Sequence, residues 1–168
     1  MRSLILACGN PLRGDDGVAL RIVCSLQGGY ADFDTEICCA QQWTPELAES
    51  LSKAELAIFV DASAAIPPGE LRLEQVSARD EHAGATTHSL NPEQLLTLAL
   101  QLYQTVPERA FLLTIGGSSF EHGHQLSAVV RQAIPAARNQ IKALLSGVSL
   151  PLSEALPVAK SPGSVGYS

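Results

Sequence analysis

Aromatic residues are scarce in this chain, 5% of 168, with one Trp, three Tyr and four Phe. A base-stacking platform for single-stranded nucleic acid needs more of them. Positive charge is short as well: 11 Lys and Arg face 17 Asp and Glu, a formal net charge of −6. That balance lacks the basic face of a nucleic-acid binder and works against docking on an anionic membrane. No C-x-x-C spacing occurs among Cys8, Cys24, Cys38 and Cys39, so the paired ligands of a structural zinc site are missing. The four read as small buried hydrophobes in a reducing cytosol, although vicinal Cys38 and Cys39 cannot both face one core from a strand. The apolar N-terminal run, 4–8, stops at Gly9. It is too short for a signal segment and far too short to cross a bilayer, so a cytoplasmic protein is expected.

What is present is a globular composition. Hydrophobic residues make up 46% and charged residues 17%, which excludes disorder of the whole chain. The length favours one domain, and at that size a core buries roughly 70% of the unfolded surface without disulfides.

Apolar runs at 4–8, 56–60 and 111–115 read as buried strands, as does 35–40. Leu71 and Leu73 alternate with polar residues in 69–76, the pattern of a half-exposed edge strand. Between them lie helical patterns. Val18, Ile22 and Leu26 share a face in a segment expected to end at a Gly28-Gly29 cap. Thr44-Pro45-Glu46 opens a second helix, and Asn91-Pro92-Glu93-Gln94 a third with a capping box, running to about Tyr103. A long amphipathic helix spans 126–145, with Pro135 expected to kink or break it. Residues 77–89 read as a loop. Residues 1–146 are expected to form the single domain, with 147–168, rich in Ser, Pro and Gly, a flexible tail. Strands alternating with helices in this order predict a three-layer α/β/α sandwich around a mainly parallel, twisted five-stranded sheet.

Function in such folds sits beyond the carboxyl ends of the strands, here after Cys8, Val60 and Ile115. The first of these reads Gly9-Asn10-Pro11-Leu12-Arg13-Gly14-Asp15-Asp16-Gly17. It lacks the G-x-G-x-x-G and G-K-[ST] patterns, and its two acids disfavour a phosphate. One of Asp15 and Asp16 can cap the following helix, which leaves the other free for a cation or a proton. Asp61 follows Ile58-Phe59-Val60, where a partly desolvated carboxylate must find a partner. His88 lies just ahead of the third helix. His82, His122 and His124 sit in polar segments, and the His122-Gly-His124 pair has no matching ligand pair. Asp16, Asp61 and His88 all fall at one end of the expected sheet, an open N/O set suited to a divalent transition metal.

These residues carry a resemblance. The stretch Leu-Ile-Leu-Ala-Cys-Gly-Asn-Pro-Leu-Arg-Gly-Asp-Asp-Gly-Val, the Ile-Phe-Val-Asp-Ala segment, Thr-His-Ser-Leu-Asn-Pro-Glu around His88, and Gly116-Gly117 with Phe120-Glu121 resemble the hydrogenase maturation endopeptidases. The resemblance covers roughly residues 2–145. It implies a monomeric, aspartic-type protease that trims the C-terminus of a nickel-loaded NiFe-hydrogenase large-subunit precursor. It further implies that Asp16, Asp61 and His88 are the metal ligands, with nickel carried by the substrate and read as proof of correct loading. Asp16 or Asp61 would activate the water. The first ligand is Glu in some members and Asp here. A non-catalytic nickel chaperone using the same ligands is the alternative.

Overall fold

The computed structural model describes residues 1–26, 34–79 and 90–153. Five strands form one sheet: β1 (Ser3–Cys8), β2 (Thr35–Ala40), β3 (Leu56–Ser63), β4 (Leu71–Gln75) and β5 (Arg109–Gly116), in the order β2-β1-β3-β5-β4. All pairs are parallel except β4 against β5. Among the described residues four α-helices accompany it: α1 (Val18–Cys24), α2 (Leu47–Ser52), α3 (Pro92–Tyr103) and α4 (Ala128–Leu145).

Strand alternation sorts the core into two layers. Ile5, Ala7, Leu56, Ile58 and Val60 pack with α1 and α4 on one face. Leu4, Leu6, Cys8, Ala57 and Phe59 pack with α2 and α3 on the other. The fold is therefore the expected three-layer sandwich. Trp43 meets Phe59 edge-on at 5.5 Å in the second layer. Each fully buried Leu, Ile or Phe in these layers contributes ~1.5–3 kcal/mol. Among the described residues, no helix is long and apolar enough to cross a membrane.

Local signals set most boundaries. Asn91 caps α3 through the predicted box: its side chain accepts from the Gln94 N–H at 2.8 Å, and Gln94 Oε1 accepts from the Asn91 N–H at 2.9 Å. Three expectations need correction. The second helix begins at Leu47 rather than at Thr44-Pro45-Glu46, because those residues form a preceding turn with Thr44 O accepting from the Leu47 N–H. Pro135 does not break α4, which is assigned continuously through it; Val130, Ala133, Ala137 and Ile141 are buried on both sides of the proline and hold the helix together. The cysteines are not uniformly buried either. Cys8 is buried and Cys38 half-buried, but Cys24, the last residue of α1, and Cys39, on edge strand β2, are exposed. The Gly28-Gly29 cap falls outside the described residues; α1 ends at Cys24, with Ser25 donating back to Arg21 and Ile22.

Of the predicted tail, 154–168 lies outside the described residues. Ser153 does reach the sheet: its N–H donates to Leu73 O at 2.7 Å, and its Oγ accepts from the Leu73 N–H at 3.1 Å.

Candidate active site

The strand order reverses at β1. The chain leaves β1 toward β2 on one side, then returns to place β3 on the other. Connections diverging from such a point open a crevice at the carboxyl ends of the two strands. The loop after β1 and the last residues of β3 border it.

The β1 loop folds tightly. Gly9 has φ +151, and a Cβ there would overlap the Asp16 carbonyl oxygen. Only glycine lets the loop turn back so closely. Residues Gly14–Gly17 then make one 3-10 turn leading into α1. Neither acid caps a helix, contrary to one reading of the sequence, since no side-chain cap bond forms at either element. Instead the two carboxylates diverge. Asp16 is half-buried, and its Oδ2 accepts from the Asn10 N–H at 2.8 Å. Asp15 is fully buried, 0% exposed, and turns toward the segment after β5. There it accepts from the N–H groups of Ser118 (2.8 Å), Ser119 (2.9 Å) and Ser127 (2.7 Å), and from the Ser127 hydroxyl (2.8 Å). Burial alone would raise its pKa, but these donors, Ser127 first, outweigh it and hold the carboxyl below its ordinary value.

Asp61 lies inside β3 rather than just past it, since the strand runs on to Ser63. Alternation puts its side chain on the Ala57 and Phe59 side, the layer that contains α3. Its Oδ1 accepts from the Ala62 N–H at 2.8 Å. Burial raises its pKa to about 7; the Ala62 hydrogen bond opposes this and the nearby Asp16 charge adds to it. Asp16 thus lies close enough for its charge to be felt at Asp61. Both also act on Cys8, whose thiol is pushed up to about 12 by burial first, then by Asp61 and Asp16. Cys8 is a neighbour of the acid pair that the sequence reading assigned to packing alone; its place at the end of β1, one residue before the motif loop, was the available signal.

His88, and His82 with it, lies outside the described residues. Leu90, two positions after His88, donates from its N–H to Trp43 O at 3.5 Å. His122 and His124 are exposed on the segment after β5, where Arg21 donates to His124 O at 3.2 Å. Among the described residues, no group of three or more His, Cys, Asp or Glu side chains is arranged to hold a metal. Two carboxylates so placed have the chemistry to share in coordinating a cation or to take up a proton.

No family model matches the chain, and no curated protein does. Solved structures do. A solution structure of an endopeptidase from Escherichia coli is 27% identical, spans 88% of this chain and 95% of its own, and superposes with a TM-score of 0.65. The hydrogenase 2 maturation peptidase of Thaumarchaeota archaeon SCGC_AB-539-E09 is 26% identical over 87% of this chain and 99% of its own, with a TM-score of 0.66. The E. coli hydrogenase maturating endopeptidase HybD is 25% identical over 88% and 93%, with a TM-score of 0.67.

An α/β sandwich with paired acids at its switch point, sharing its fold and a quarter of its sequence with these enzymes, is a peptidase hydrolase. More narrowly, the enzymes it is similar to include hydrogenase maturation endopeptidases, the family its sequence motifs resemble.

Proposed function

We propose that this protein removes the C-terminal extension of a NiFe-hydrogenase large-subunit precursor in the cytoplasm, acting as a monomer and only on nickel-loaded substrate. The carrying observation is the meeting of Asp16 and Asp61 at the β1/β3 crevice, close enough for the charge on Asp16 to raise the pKa of Asp61.

Asp61, with a pKa of about 7, can hold or release a proton near neutrality, which suits a base that activates water. Asp16 stays anchored through its Oδ2 by the Asn10 N–H. The nickel is cargo on the substrate. Asp16, Asp61 and His88 would contact it while precursor thiolates supply the softer ligands, a donor set compatible with that ion. An empty precursor lacks the bridging ion and docks more weakly, so recognition doubles as inspection of loading.

The test incubates candidate precursors, with and without nickel, and weighs the released peptide by mass spectrometry. Release from loaded precursor alone, lost in Asp16→Asn, Asp61→Asn and His88→Ala, is the expected result. Cleavage regardless of nickel would remove the inspection role, and wild-type rates in all three variants would remove the site assignment. Tight nickel binding with no cleavage of any precursor would instead mark a nickel chaperone.

A further inference from the structure

Asp15 has no part in the reaction proposed above, yet it is the most heavily bonded carboxylate among the described residues. We propose that Asp15 is a positioning residue: its buried carboxylate clamps the segment after β5 onto the motif loop and so fixes Asp16 in the crevice. The proposal rests on the peptidase reading of the site.

Backbone and side chain act together in the clamp. The N–H groups of Ser118 and Ser119 converge on one oxygen, Asp15 Oδ2, at 2.8 and 2.9 Å. Successive amides aimed at a single point form an anion-binding nest, here filled by a carboxylate from more than 100 residues away in sequence. Ser127 closes the other side with its N–H and hydroxyl. All four side-chain hydrogen bonds that join 9–17 to 117–127 among the described residues are made to Asp15. Main-chain bonds follow the same seam: Asp15 N–H to Ser119 O and Gly14 N–H to Gly123 O, both 2.8 Å, and Gly123 N–H to Leu12 O, 2.7 Å. The fit is close, since a Cβ on Gly14 would come within 2.7 Å of Ser119 O.

Asp16 is the next residue in the same 3-10 turn, and among the described residues its carboxylate accepts from the Asn10 amide of that loop alone. A loop released from its far wall would leave Asp16 free to move relative to Asp61. Charge-assisted bonds from buried donors are also the expensive kind to lose, because the donors then have no partner.

The experiment uses the full chain with Asp15→Ala and Asp15→Asn, reading cleavage of nickel-loaded precursor and amide hydrogen exchange. Asp15→Ala should lower kcat by about 10- to 100-fold, the usual effect of losing a partner that orients an active-site group, while KM stays within about twofold. Added formate should refill the vacated nest and restore part of kcat. The amides of Ser118, Ser119 and Ser127 should exchange faster, and so should that of Asn10, which reports on Asp16. An unchanged kcat, or a loss confined to KM, would overturn the proposal. If Asp15→Ala does not fold, Asp15→Asn decides: it keeps an acceptor oxygen but turns an NH2 toward a donor, so an intermediate kcat supports the clamp and a wild-type kcat refutes it. Should wild-type protein cleave no precursor, the peptidase reading falls separately. Exchange at Asn10 then settles the positioning role, faster in the variants if Asp15 holds Asp16 and unaltered if it does not.

Discussion

Cys8 and Asp61 stand side by side on one face of the β1–β3 pair. The ladder matches Ala7 with Val60, so the next residues of the two strands are neighbours, and burial together with the Asp61 charge raises the thiol to about 12. At pH 8 only ~10⁻⁴ of such a thiol is thiolate, the reactive form. Iodoacetamide should therefore label exposed Cys24 and Cys39 well before Cys8, read by peptide mass mapping. Asp61→Asn removes the neighbouring charge and should quicken labelling at Cys8. Equal rates at Cys8 and Cys24 in the wild-type protein would contradict this arrangement.

Asp61 also makes stability depend on pH. Its folded pKa, about 7, lies above the ordinary 3.8, so the folded protein holds this proton where the unfolded chain has lost it. The associated stability is fully present below pH ~4 and is lost as pH rises through about 7. Urea unfolding of metal-free protein should thus show Asp61→Asn gaining ~2–4 kcal/mol on wild type at pH 8 and much less at pH 5, from 1.36 kcal/mol per pH unit. An equal difference at both pH values would mean that the carboxyl is not desolvated. Peptidase activity should move the other way and rise through the same range, if ionised Asp61 is the working form.

Gly9→Ala is expected to be severe, because the added methyl would overlap the Asp16 carbonyl at φ +151. Strain at such a backbone position is of order 1–3 kcal/mol before the overlap is counted. Thermal unfolding should show a marked loss of stability, and cleavage should fall with it. A variant as stable and active as wild type would show that the loop has another way to turn.

The capping box of α3 offers a milder test remote from the acids. Asn91→Ala removes the acceptor for the Gln94 N–H and should destabilise by about 1 kcal/mol, lowering Tm by ~2–4 °C in a domain of this length.

Layer architecture, the edge strand and the α3 cap were legible in the sequence because each rests on local chemistry: continuous apolar runs at 4–8 and 56–60, alternation at Leu71 and Leu73, and an Asn-Pro-x-Gln start. Asp16 and Asp61 could be placed at one end of the sheet for the same reason, since strand ends are local and parallel order follows from alternation. What could not be read was which acid of the Asp15-Asp16 pair turns toward the crevice. That choice is made by Ser118, Ser119 and Ser127, donors over 100 positions away that no window on the motif includes. Two readings at prolines, the start of α2 and the break in α4, erred for a related reason. Thr44-Pro45-Glu46 has capping chemistry but spends it on a turn, and Pro135 forgoes one backbone bond that buried neighbours on both sides make affordable.

The reversed edge strand has a consequence for assembly. β1, β2 and β3 can pair as soon as residues up to Ser63 are available, whereas among the described residues β4 pairs with no strand but β5. Leu71–Gln75 must therefore wait until Arg109–Gly116 has been laid beside β3. Closing that span is a slow, non-local step. Synthesis from the N-terminus would thus complete β1, the turn that carries Asp16, and β3 with Asp61 first, and leave the antiparallel rim to zip on at the end.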